Sequence, residues 1–255
     1  MPAESLIRVH DLTYTYPGGQ RALDQVSFTV AEGECVGLVG PNGAGKTSLF
    51  LCLSGVLPIP EGAVNMAGLD PAKPADRRLL PGRTGIVFQN SDDQLFSTTI
   101  FDDVAFGPLN LGLPPDQVRQ RVSDALLEVG LSGFEQRVPF HLSGGEKRRA
   151  ALAGVLAMQP AILLLDEPSM YLDPRGRREL IRLIKALSVT KLIAGHDLEM
   201  IRETCTRVLL LDGGKLVADG ATRQILSDTK LMETHGLEVP HSLTHHAATE
   251  QHHKD

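Results

Sequence analysis

Over the first ~35 residues apolar and polar positions alternate, the period of a half-buried strand. Ile7-Arg8-Val9-His10 and Val26-Ser27-Phe28-Thr29-Val30 each place their apolar side chains on one face, and Tyr16-Pro17-Gly18-Gly19 between them has the composition of a turn. The pattern then becomes continuous. Cys35-Val36-Gly37-Leu38-Val39 is an unbroken apolar run, as expected of a strand covered on both faces. A glycine-rich turn follows, after which Thr47–Leu53 reads as a helix and Ile86-Val87-Phe88 as another short buried strand.

From about Ser91 to Gln159 the spacing turns helical. Val118, Val122, Leu126 and Val129 fall on one face of a helix over Gln117–Val129, stopped by Gly130, and Glu146–Met158 is a second helix rich in Ala and Arg. Strand and helix then alternate: Ile162–Leu165, a helix over Arg177–Leu187, the strand Lys191–Ala194, a helix near Leu198–Cys205 and the strand Val208–Leu211. Such alternation predicts an α/β fold with a mostly parallel sheet and crossover connections. The mainly helical stretch, roughly 91–159, is expected to be an inserted subdomain. The chain after about Gly236 is polar and histidine-rich, and is expected to be loose.

Composition narrows the class. The 255 residues are 42% hydrophobic, enough for a full core, and the net charge of −6 argues against a field that gathers nucleic acid or anionic lipid. Ala161–Leu165 and Val208–Leu211 are strand-length, far short of the ~20 residues of a bilayer span. Met1–Leu6 has no basic start leading into an apolar run, so no secretory signal is expected and an intracellular, soluble chain is. Three cysteines without a Cys-x-x-Cys pair suggest isolated buried thiols rather than a disulfide framework or a zinc site.

The chemistry begins at Gly40-Pro41-Asn42-Gly43-Ala44-Gly45-Lys46-Thr47, which fits G-x-x-x-x-G-K-[ST] between a buried strand and a helix. Glycine permits positive φ and close backbone approach, so successive N–H groups can face phosphate oxygens, and the helix N-terminus adds partial positive charge. Lys46 is then expected to reach the β- and γ-phosphates and the Thr47 hydroxyl to ligate Mg²⁺. Asp166-Glu167 ends the apolar run Ile162–Leu165, and a carboxylate at that edge of a parallel strand faces the same crevice. Asp166 is the expected Mg²⁺ holder and Glu167 the group that polarises the attacking water. The two motifs together define a P-loop nucleotide hydrolase.

Leu142-Ser143-Gly144-Gly145-Glu146 reads locally as a capped helix start, with Ser143 as N-cap and Glu146 closing a capping box. A capped N-terminus is also an anion site. With Asp166-Glu167 about twenty residues later, the segment resembles the signature motif of ATP-binding-cassette ATPases, and the resemblance covers nearly the whole chain. It implies a RecA-like, mostly parallel core with an N-terminal antiparallel β part and an inserted helical subdomain. It also implies Tyr16 as the adenine-stacking aromatic, Gln89 as the residue sensing Mg²⁺ and the attacking water, and His196 as the switch histidine on the γ-phosphate. Ser169-Met170-Tyr171-Leu172-Asp173 matches the dimer-communication loop, although Met170-Tyr171 is bulkier than the small residues often found there. Glu146 stands where glutamine is commonest. The family geometry further implies a head-to-tail dimer, in which Ser143, Gly144, Gly145 and Glu146 of one subunit close over ATP held by Lys46 of the other, with Asp173 also in the nucleotide-binding set. A homodimer is the expected form.

The run Val87–Phe96 and Asp102-Asp103-Val104-Ala105-Phe106-Gly107-Pro108 resemble the ATPases of energy-coupling-factor importers, as do Lys147-Arg148-Arg149-Ala150 and Ala153–Met158. The resemblance implies peripheral attachment at the cytoplasmic face of the cell membrane, with transmembrane coupling and substrate-binding subunits as partners. Leu95 and Phe96 would dock on them; for Leu95 an ordinary core role stands equally open. Compact length and the ending Leu231–Pro240 look like the cobalt and nickel branch, with a vitamin importer as the alternative. An ATPase acting on nucleic acid or ribosomes would bring a second cassette, a coiled-coil insert or basic extensions. Residues 1–240 are read as the ATP-binding domain and 241–255 as a tail. His235, His241, His245, His246, His252 and His253 suit Ni²⁺ or Co²⁺ chemically, but a solvated tail is the favoured reading.

Overall fold

The N-terminal alternation becomes a long antiparallel ribbon of β1 (Ser5–Thr15) and β2 (Arg21–Ala31). Ile7, Val9, Leu12, Val26, Phe28 and Val30 are buried, so the ribbon must cover an apolar surface. The computed structural model describes residues 5–244. β3 (Cys35–Val39) runs into a glycine loop and then α1 (Lys46–Leu53). β4 (Val64–Met66), too short to read from the pattern, joins β1 to complete a three-stranded sheet in the order β2-β1-β4. A short helix α2 (Pro74–Leu79) leads on to the second sheet.

That sheet comprises β5 (Thr84–Val87), β6 (Ile162–Asp166), β7 (Thr190–Ala194), β3, β8 (Arg207–Asp212) and β9 (Lys215–Ala221), in the spatial order β5-β6-β7-β3-β8-β9. All neighbours are parallel except β9, which returns antiparallel along β8 through Gly213-Gly214. Every residue of β3, β6 and β7 is buried, which is why these strands carry no alternation. β9 alternates exposed and half-buried residues and buries none fully, being an edge.

The inserted region holds α3 (Ile100–Asn110), α4 (Pro115–Glu128) and α5 (Gly144–Leu156). α3 was not separately foreseen within the helical stretch; its Pro108 lies in the last turn, where only one ladder bond is lost. α4 buries Val118, Val122 and Leu126 of the expected stripe and adds Ala125, while Val129, also buried, is its C-cap. α5 starts two residues before Glu146 because Ser143 caps it, with both bonds of the capping box formed. α6 (Pro174–Ala186) likewise starts early, on Asp173 as N-cap and Pro174 at the first helical position. α7 (Leu198–Thr204), α8 (Thr222–Ser227) and α9 (Thr229–Thr234) complete the described helices. None is long and apolar enough to cross a membrane.

Two expectations change. Residues 237–244 are not loose: Leu237, Val239 and Leu243 pack on the core, and Ser242 donates its N–H and hydroxyl to Glu199 at 2.9 and 2.6 Å. The apolar residues between the histidines supply the burial that the polar composition hid. His235 is tied to Asp212, Nδ1 to Oδ2 2.8 Å, while His245, His246, His252 and His253 lie outside the described residues, as do positions 1–4. The cysteines do not all stand alone either. Cys35 and Cys205, separated by 170 positions, bring their Sγ atoms to 3.6 Å, because parallel pairing of β3 with β8 joins distant parts of the chain.

Candidate active site

The loop Gly40–Thr47 is shaped by what packs behind it. A Cβ on Gly40 would stand 2.0 Å from the Leu211 carbonyl oxygen, and one on Gly45, at φ +107°, 2.5 Å from that of Ala22. Only glycine allows the loop to lie against β8 and β2. Lys46 arches back along the loop, its Nζ donating to the carbonyls of Gly40 at 2.7 Å and Pro41 at 3.1 Å. It is buried, which lowers its pKa, and the nearby carboxylates of Glu167 and Asp166 oppose that shift. A buried cation in a glycine loop that opens onto the N-terminus of α1 suits a polyphosphate.

Asp166 ends β6 and accepts a hydrogen bond from Thr47 Oγ1 at 3.0 Å on Oδ2. Burial raises its carboxyl pKa, and the Thr47 hydrogen bond and the Lys46 and Arg148 charges only partly offset this. A buried carboxylate paired with a hydroxyl is a hard, all-oxygen donor set that fits Mg²⁺. Glu167 follows at φ +47°, a strained left-handed turn for a non-glycine residue. Its N–H donates to the Ala194 carbonyl at 2.8 Å, which turns the side chain out of the sheet. There Glu167 Oε2 accepts from the His196 backbone N–H at 3.2 Å and lies 2.7 Å from His196 Nδ1. The carboxylate is therefore held by the segment after β7, while Oε1 accepts no hydrogen bond among the described residues.

Two arginines that sequence reading did not single out as site residues fix this centre. Arg177 of α6 forks the Asp197 carboxylate at 2.6 and 2.9 Å, and Asp197 also caps α7 through Met200 N–H, so His196 is held from behind. Arg148 of α5 is buried and donates to the carbonyls of Phe88, at 2.6 Å, and Gln89. It shares a face with Ala151, Leu152 and Val155, all buried; a charged residue on such a stripe was the available signal. Gln89 lines the phosphate hollow and points its Nε2 at Met170 Sδ. Tyr16 lines the same hollow, its hydroxyl 3.0 Å from Ser48 Oγ and its ring edge-on to Tyr14.

All the predicted residues but His196, which lines neither hollow and joins the first only through Glu167, fall into two groups. Tyr16, Asn42, Gly43, Ala44, Gly45, Lys46, Thr47, Gln89, Asp166 and Glu167 line one hollow, with Gly40 and Pro41 bound to Lys46 beside it. Ser143, Gly144, Gly145, Glu146 and Asp173 line another, together with Arg149, Arg175 and Glu179. The two hollows have no lining residue in common. Asp173 accepts from Gly176 N–H at 2.6 Å as the cap of α6, so its carboxylate is already engaged there.

A strand–loop–helix phosphate cradle facing paired carboxylates makes the protein a P-loop nucleotide hydrolase. The comparison with known proteins then gives the family. The model described as ABC transporter matches residues 23–170, and the chain belongs to the ABC transporter family as an ATP-hydrolysing cassette. The energy-coupling factor transporter ATP-binding protein EcfA of Methanothermobacter thermautotrophicus is 46% identical over 92% of this chain and 77% of its own length. CbiO1 of Clostridium perfringens, part of the ABC transporter complex CbiONQ, superposes with a TM-score of 0.81 at 32% identity, covering 96% of this chain and 99% of its own. A dimeric ATP-binding cassette bound to ADP and Pi matches at a TM-score of 0.75 and 25% identity, over 85% of this chain and 98% of its own.

Proposed function

We propose that this chain is the ATPase of an energy-coupling-factor importer that takes up a transition-metal ion, cobalt or nickel, working as a head-to-tail dimer on the cytoplasmic face of the membrane. The observation that carries the dimer is the division of the site between two hollows. Phosphoryl transfer needs charge stabilisation from all sides of the γ-phosphate, and the loop side alone leaves one side open. The capped N-terminus of α5, with Ser143, Gly144 and Gly145, would close that side from a second copy, in keeping with the dimeric cassette among the similar structures.

In this reading Tyr16 stacks on adenine, and the loop amides with Lys46 hold the phosphates. Thr47, Asp166 and Gln89 would hold Mg²⁺, which when bound neutralises charge on the β- and γ-phosphates. Glu167 accepts the hydrogen bond of the attacking water and draws off its proton as the oxygen–phosphorus bond forms and ADP leaves. His196 keeps that carboxylate aimed and reaches the γ-phosphate. Hydrolysis splits off the γ-phosphate as Pi, and its departure takes away charge that held the two copies together.

Coupling to the membrane would run through the inserted helices. A hollow of about 540 Å³ is lined by Phe88, Leu95, Phe96, Asp103, Phe106 and Met158 among others. Phe96 and Phe106 are exposed and meet edge-on at 5.1 Å, whereas Leu95 packs on the core. Phe96 and Phe106 are therefore the docking side chains and Leu95 their support. Arg148, bonded to the Gln89 carbonyl, links this surface to the phosphate hollow. The metal cargo rests on the resemblance to the cobalt and nickel branch and on the similarity to CbiO1.

The test is uptake of Ni²⁺, Co²⁺ and a vitamin panel by cells carrying the chain with its membrane subunits, each compared with Glu167→Gln. Glu167-dependent accumulation of Ni²⁺ or Co²⁺ is expected. Vitamin uptake without metal uptake would overturn the cargo and leave the ATPase role in place.

A further inference from the structure

The phosphate loop leaves one end of β3, and the opposite end of the same strand carries a group that ATP hydrolysis does not use. Cys35 begins β3, Cys205 directly follows α7, and their Sγ atoms lie 3.6 Å apart. The backbones are fixed side by side: Thr206 N–H donates to the Cys35 carbonyl at 3.1 Å, and Val36 pairs with Arg207 in register. On the other flank Cys35 pairs with Lys191 of β7, whose buried ammonium donates to the Leu187 carbonyl. The Cys205 hydrogen bond, aided by the Lys191 charge, holds the Cys35 thiol below its ordinary pKa against burial and the Glu34 carboxylate, while the Cys205 thiol is raised. Cys52, on α1, lies in the other core cluster, and burial pushes its thiol up to about 12.

We propose that Cys35 and Cys205 are a redox-active dithiol, a modification site that a two-electron oxidant of the peroxide class closes to a disulfide stapling the start of β3 to the α7–β8 junction. The sulfurs need to close from 3.6 Å to a bonded distance of about 2.05 Å. Side-chain torsion can supply such a shift, and both residues keep a small exposed fraction through which a peroxide can reach them. The Cys35 thiolate attacks one peroxide oxygen, the O–O bond breaks, and the departing hydroxide takes a proton to become water. Cys35 is then a sulfenic acid. The Cys205 sulfur, losing its proton, attacks the Cys35 sulfur; the S–S bond forms, the S–O bond breaks, and a second water leaves. Two thiols lose two electrons and two protons, and hydrogen peroxide accepts both.

The purified full chain carries the test, treated with a small excess of hydrogen peroxide, alkylated and digested without reduction. Mass spectrometry is expected to find the Cys35 and Cys205 peptides joined within one chain, with Cys52 still alkylated. The melting temperature should rise by roughly 5 °C or more, because a long loop is closed, and fall back on adding dithiothreitol. Cys52→Ser should behave like the parent, and Cys35→Ala or Cys205→Ala should lose both responses. Separate sulfinic acids, a link between chains, two unreacted thiols, or a disulfide without thermal gain would each overturn the proposal.

Discussion

The two hollows that carry the predicted site residues differ in kind. In the phosphate hollow Lys46, Asp166 and Glu167 are buried, and each is held by groups of the same chain. In the signature hollow Ser143 and Gly144 are exposed, Gly145 and Glu146 are half-buried, and the polar groups are engaged in capping α5 and α6. Burial of charge requires local compensation, so the first hollow is finished within one chain. The second offers backbone N–H groups at a helix N-terminus to something outside it. In the proposed dimer the first surface holds the ligand and the second is brought to it.

That contrast can be broken from either side. Glu167→Gln removes the proton acceptor while leaving the phosphate cradle intact. Its turnover should fall at least a hundredfold with ATP still bound, measured by steady-state hydrolysis and nucleotide titration. Unchanged turnover would take the base role from Glu167. Lys46→Ala removes a charged donor from the buried side, so ATP affinity by calorimetry should drop about ten- to a hundredfold. Phe106→Ser touches neither hollow: transport should be lost, while hydrolysis by the isolated chain stays within about twofold of the parent. The smallest effect expected is at Asp166. Its folded-state pKa lies above the unfolded one, so the folded chain binds more protons between the two values and stability falls as pH rises through that window. Asp166→Asn should therefore melt a few degrees higher at neutral pH, roughly 2–4 °C, and a lower melting temperature would show that the Thr47 and Lys46 contacts outweigh burial.

The phosphate hollow was largely legible in the sequence because its constraints are local. Gly40, Gly45 and Lys46 must follow one another along a single strand–loop–helix, and Asp166-Glu167 must end a buried run. The capping box at Ser143 and Glu146 could be read for the same reason, since both bonds span three residues. What escaped depends on distant parts of the chain. Arg148 reaches carbonyls sixty residues away and Arg177 an aspartate twenty away. β9 exists only as an edge against β8, and Cys35 meets Cys205 only through the sheet order. Helix starts were misplaced by two or three residues at α5 and α6, where the cap and not the apolar stripe sets the first turn.

The central claim is that one ATP site takes the phosphate hollow of one copy and the signature hollow of another. It can be tested directly by mixing two inactive chains, Lys46→Ala and Gly145→Trp, and measuring hydrolysis. Head-to-tail pairing leaves one intact site in each mixed dimer, so activity should return to about a quarter of the parent rate for random twofold pairing. A mixture as inactive as its components would contradict a site shared between copies.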